Sequence, residues 1–156
     1  IQVASNFERL YFEAVGRDGV ETGRAFRAFA TTGTLDIPPS ALAIMRELFQ
    51  GASVSEADTA KTMLSTLNET GELIDPHTAV AVAAARRASL PDPATPMAVL
   101  STAHPAKFPE AVSAATGVTP QVPAAAQGLT ERPERFDSLP ADADAIMAYV
   151  RAFARK

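Results

Sequence analysis

Apolar residues along this chain recur mostly at helical spacing. Phe7, Leu10, Tyr11, Ala14 and Val15 form one face behind Ser5 and Asn6, either of which can cap a helix start, and Gly16 stops the run. A second amphipathic stretch centres on residues 25–30 and ends near Gly33. Pro38-Pro39-Ser40 opens a third, whose Leu42, Met45, Leu48 and Phe49 share a face. Ser55 and Asp58 form a capping-box-like start for a helix bearing Ala60, Met63, Leu64 and Leu67, closed by Asn68 and Gly71. At Asp75-Pro76 the carboxylate can accept from free amides, while Pro needs no donor at the first helical position. The run that follows, residues 78–85, is small and apolar on all sides and predicts an interior helix. Pro109 begins a short helix ending at Gly117, and a last helix over 142–155 is expected to bury Ile146, Tyr149, Val150 and Phe153.

Three short apolar runs, at residues 1–4, 49–54 and 97–100, read instead as strands. Pro91, Pro93 and Pro96 make a loop before the third, and residues 118–140, rich in Pro and Ala with little periodicity, predict an extended surface-crossing segment. Helices alternating with such runs predict an α/β layer structure with too few strands for a full sheet, the remainder lying in sequence beyond this chain. The chain also opens directly inside an apolar alternation, Ile1-Gln2-Val3-Ala4, with no initiator Met, which reads as a cut N-terminus.

Composition narrows the class. With 156 residues, 47% hydrophobic and 21% charged, the chain suits one ordinary water-soluble core. A net charge of −4 leaves no basic field for nucleic acid or an anionic membrane, so neither is expected as a partner. The absence of Cys rules out disulfides and thiolate metal sites, and no signal-like or spanning segment is present, so a cytoplasmic setting is expected. His77 and His104 are the two histidines and no carboxylates stand at ligand spacing around them, so no metal site is predicted.

Open α/β sheets bind ligands beyond the carboxyl ends of their strands, which is where residues 101–107 fall. Ser101, Thr102, His104 and Lys107 put two hydroxyls, an imidazole and an ammonium into that loop, groups suited to a ring nitrogen or an anion. An ordinary polar loop is the alternative. Asn6 and Arg9 stand at a helix start that can face an anionic ligand, or lie on its wet face. His77, in the first turn after Asp75-Pro76, could point toward a ligand at the helix N-terminus but is read as solvated. No Gly-x-Ser-x-Gly elbow occurs, and Gly16, Gly19 and Gly23 match neither phosphate-loop nor dinucleotide spacing.

Three runs taken together resemble the C-terminal third of bacterial threonine synthase: residues 1–9, Gly71-Glu72-Leu73-Ile74-Asp75-Pro76-His77-Thr78-Ala79-Val80, and Ser101-Thr102-Ala103-His104-Pro105-Ala106-Lys107-Phe108-Pro109. The resemblance covers Ile1 to about Thr116, with the tail alike only in general character. It implies the C-terminal part of a tryptophan-synthase-β-like, fold type II, three-layer α/β domain that binds pyridoxal 5'-phosphate, helix-rich with a few short parallel strands. Residues 1–117 would be its core and 118–156 a crossing loop and terminal helix. The activity implied is conversion of O-phospho-L-homoserine and water to L-threonine and phosphate, the last step of threonine biosynthesis.

By the same resemblance Thr102, with Ser101 beside it, takes the place of the hydroxyl that bonds the cofactor's pyridine nitrogen. Asn6, Arg9, His104 and Lys107 are the substrate-side candidates. The family's Schiff-base lysine stands in a Phe-Lys-Asp context and its cofactor phosphate lies in a glycine-rich loop, and neither is present; the lysines are Lys61, Lys107 and Lys156. This chain therefore holds no catalytic residue by resemblance, is expected to be inactive alone, and needs the N-terminal remainder of the polypeptide as partner. Another fold type II lyase, such as a dehydratase, and a non-catalytic helical interaction module are the alternatives.

Overall fold

The computed structural model describes residues 5–88, 92 and 94–154. Its helices are α1 Ser5–Ala14, α2 Gly19–Thr32, α3 Pro39–Leu48, α4 Glu56–Thr70, α5 Pro76–Arg87, α6 Pro109–Thr116 and α7 Ala143–Phe153, with short 3₁₀ turns at Pro105–Lys107, Ala124–Ala126 and Leu129–Glu131. Local chemistry sets most boundaries. Asp18, Ser55, Asp75 and Asp142 each accept from a first-turn amide of the helix they precede. Gly71 ends α4 at φ +77°, a left-handed conformation that costs a residue with a Cβ about 1 kcal/mol.

The helices form two apolar clusters. In the first, α1 packs on α2 and α3 around the buried Tyr11, Ala14, Ala25, Ala41 and Met45. Tyr11 meets Phe26 edge to face, with centroids 5.6 Å apart. In the second, α4 packs on α5 and α6 around Met63, Ala79 and Val112, with Leu73, Ile74 and Phe108 at its margin. The face that α4 buries carries Thr59, Thr62 and Thr66 beside Met63, whereas Leu64 is exposed. Thr59 and Thr62 return their hydroxyls to the carbonyls of Ser55 and Asp58, at 2.9 and 2.7 Å, which frees their methyls to pack.

The α/β layer expectation is overturned. Every regular element among the described residues is helical, and neither 49–54 nor 97–100 is a strand; the strand expected at 1–4 lies outside the described residues. The two internal runs have no regular structure and share no backbone hydrogen bond among the described residues. A strand is defined by its ladder, and β-branched or apolar content cannot supply the second strand. A three-layer domain with parallel strands is thus not what these residues form.

Two burial expectations also change. Helix α5 buries Thr78, Ala79 and Ala83, packing chiefly on α4, but leaves Val80 37% exposed. Helix α7 has no buried residue: Ile146, Val150 and Phe153 are 41%, 51% and 70% exposed, and Tyr149 is half-buried. Its amphipathic stripe is real, but among the described residues no other helix packs closely on it. Among the described residues, no helix is long and apolar enough to cross a membrane.

Candidate functional site

The segment after residue 100 leads to Phe108, which packs at the margin of the second cluster. Ser101, Thr102, Ala103 and His104 line an open cleft of about 620 Å³ with Glu72 and Gln121. Thr102 also lines a neighbouring groove of about 780 Å³, whose walls include Ala81 and Ala84 of α5 and residues 97–100. Thr102 therefore stands where the two hollows meet, its side chain exposed. Hydroxyls, a side-chain amide and an imidazole make the first cleft a hydrogen-bonding surface, while small apolar side chains give the groove room for a flat molecule.

His104 has a structural task as well. Its Nδ1 accepts the Ala106 amide at 3.1 Å, capping the Pro105–Lys107 turn. A neutral imidazole that accepts at Nδ1 carries its proton on Nε2, so the edge left free is a donor. Lys107 ends the same turn, exposed, and lines neither hollow.

Asn6 and Arg9 lie elsewhere. Arg9 donates to the Asn6 side chain at 3.0 Å on the exposed face of α1, and Arg9 lines a shallow cavity with Ser5, Glu8 and Gly19. Neither residue lines the hollows around Thr102. The chain thus brings Ser101, Thr102 and His104 together and leaves Asn6, Arg9 and Lys107 apart.

A residue read as solvated proves to be fixed. His77 Nδ1 sits 3.0 Å from Asp75 Oδ1, its ring lies 4.9 Å from Phe108, and it lines the groove with Thr102. Asp75 is fully buried and also accepts the His77 and Thr78 amides at 2.9 and 3.3 Å and the Thr78 hydroxyl. Burial pushes its carboxyl up, but these hydrogen bonds outweigh burial and hold it below the usual carboxylate range. The signal was present in the sequence: in Asp-Pro-His, a His two residues past an N-cap carboxylate can share it. Among the described residues, no group of three or more His, Cys, Asp or Glu side chains gathers as a metal site.

Residues 78–150 match the family model described as threonine synthase, C-terminal. The chain is 42% identical over 153 residues to threonine synthase of Pseudomonas aeruginosa, covering 96% of this chain and 32% of that protein. It is 34% identical over 154 residues to threonine synthase of Methylobacillus glycogenes, again covering 96% of the chain and 32% of the relative. Among solved structures it is similar to the pyridoxal-phosphate-bound threonine synthase from Brucella melitensis, at a TM-score of 0.69 and 42% identity, covering 100% of this chain and 33% of that one. The chain spans about a third of the length of these relatives. The similarity runs through the tail, where the residues had given only general character.

Proposed function

The chain belongs to the threonine synthase family, matching its C-terminal part, and on that premise we propose that it forms the cofactor-ring side of an enzyme converting O-phospho-L-homoserine and water to L-threonine and phosphate. The observation that carries this reading is Thr102, a neutral hydroxyl exposed at the junction of two open hollows, within a run that resembles the family's ring-nitrogen motif.

That donor set fits pyridoxal 5'-phosphate. Bound to its enzyme, the group supplies an electron sink for carbanions beside an amino acid's Cα. Thr102 would hold the pyridine nitrogen, with Ser101 beside it. An uncharged hydroxyl leaves that nitrogen free to stay unprotonated, where a carboxylate would draw a proton to it. His104 would orient the loop through its cap on Ala106 and offer Nε2–H into the cleft. Lys61 is exposed on α4 and Lys107 lines neither hollow, so the imine-forming lysine and the cradle for the cofactor phosphate would come from the N-terminal remainder of the polypeptide.

In this reading the chain is one segment of the cofactor domain, with residues 1–117 as its core and 118–156 as a crossing loop and last helix, in a cytoplasmic enzyme. Asn6, Arg9 and Lys107 would reach substrate only in company with the remainder. The unpaired run at 97–100 and the open face of α7 are where that remainder would pack.

The test is the full-length polypeptide with pyridoxal phosphate, followed by visible absorbance and by phosphate release from O-phospho-L-homoserine. The reading expects a cofactor band and turnover, with Thr102→Val altering the band and slowing turnover about tenfold, the scale of one hydrogen bond. A full-length protein that takes up no cofactor would favour the non-catalytic module instead.

A further inference from the structure

The Asp75–His77 pair has no part in the reading above, yet it borders the same groove as Thr102. Both Asp75 oxygens are occupied. One takes the His77 amide and ring, and the other takes the Thr78 amide and hydroxyl. An ionised carboxylate can only accept, so the His77 proton must sit on Nδ1. Nε2 then keeps a lone pair and has no protein partner among the described residues. The ring cannot turn freely to exchange these roles, because Phe108 lies against it at 4.9 Å and Asp75 is locked at the start of a twelve-residue helix. A buried carboxylate holding one imidazole nitrogen, on a ring that lines the same groove as Thr102, is the arrangement that lets a histidine take a proton from water.

We propose that His77 is the proton acceptor for the water co-substrate. This rests on the function proposed above, in which one water is consumed. After phosphate has left, the substrate carries a carbon–carbon double bond at its β-carbon. As water adds there, one O–H bond breaks and the proton passes to Nε2, the oxygen's electron pair forms the new C–O bond, and the π pair of the double bond moves toward Cα. The imidazolium is held by Asp75 until it gives up that proton at the end of the cycle. Asp75 is a positioning residue, because it acts only through the ring.

The test uses the full-length enzyme loaded with pyridoxal phosphate. His77→Asn keeps an amide donor for Asp75 but removes Nε2, whereas His77→Gln carries a polar group further out. Expected for His77→Asn is a fall in kcat of about 100-fold, with the cofactor band, KM for O-phospho-L-homoserine and unfolding midpoint near wild type. His77→Ala should recover part of the loss with added imidazole. In the unmutated enzyme, ¹⁵N spectra of labelled imidazole, assigned by the signal missing from His77→Asn, should show a protonated Nδ1 and a bare Nε2. That measurement needs no variant to fold. A protonated Nε2, or a kcat for both His77→Asn and His77→Gln within about twofold of wild type, overturns the proposal. If Thr102→Val alters the cofactor band in the same experiments, the function proposed above survives that result. If the wild-type enzyme takes up no cofactor, both fall together.

Discussion

The Tyr11 hydroxyl donates to the Glu21 carboxylate at 3.0 Å, tying the middle of α1 to the first turn of α2. The ring beneath that hydroxyl is fully buried, so the residue is a core aromatic at one end and a polar tie at the other. Burial, then the bond to Glu21, raises the Tyr11 pKa, while Arg24 and Tyr11 together hold the Glu21 carboxyl down.

Tyr11→Phe should therefore keep the first cluster and lose only the tie, lowering the thermal midpoint slightly. Tyr11→Ala should cost about 3–5 kcal/mol, the range for emptying a buried aromatic site. Urea unfolding of the two variants separates the contributions, and equal losses would place the stabilisation in the hydrogen bond rather than the ring.

Asp75 predicts a pH dependence. Its folded pKa is lowered, so its contribution is fully present above the unfolded carboxyl value, about 3.9, and is lost as pH falls through the folded value. Asp75→Asn should be less stable than wild type at neutral pH, and the gap should narrow on acidification below about pH 4. Urea midpoints at neutral pH and in that acid range check the sign.

His104 caps a turn through Nδ1. In His104→Ala the Ala106 amide should lose protection in hydrogen exchange, and His104→Asn should restore it because an amide oxygen can reach the same donor. Exchange rates unchanged in His104→Ala would show that the turn holds itself.

Gly117 ends α6 at φ +74°. Gly117→Ala should cost about 1 kcal/mol, and Gly117→Asn less, since Asn enters this region more readily. Paired thermal denaturation gives both values.

Much of the fold was legible because helix boundaries are local. An Asp or Ser that accepts a first-turn amide and a Gly that admits a left-handed turn act within four residues, so Ser55, Asp75, Gly33, Gly71 and Gly117 marked their ends correctly. The choice of buried face was less legible. In α4 it fell on threonines, whose hydroxyls the helix itself satisfies, rather than on Leu64.

The strands failed for a different reason. Residues 97–100 have the apolar content of a strand, but a ladder needs a second chain segment that the residues themselves cannot specify. The same holds for α7, whose stripe of Ile146, Val150 and Phe153 was visible while its exposure was not. At the site, the sequence placed Ser101, Thr102 and His104 in one loop, and the chain keeps them at one cleft because adjacency in sequence suffices.

What the sequence alone determined, then, is where helices start and stop and which polar groups share a loop, since those depend on neighbours along the chain. Only the tertiary structure decided that His77 meets Phe108 and faces the groove of Thr102, and that Asn6 and Arg9 stand apart from it. Such encounters join residues tens of positions apart, and packing between helices fixes them, not periodicity within one.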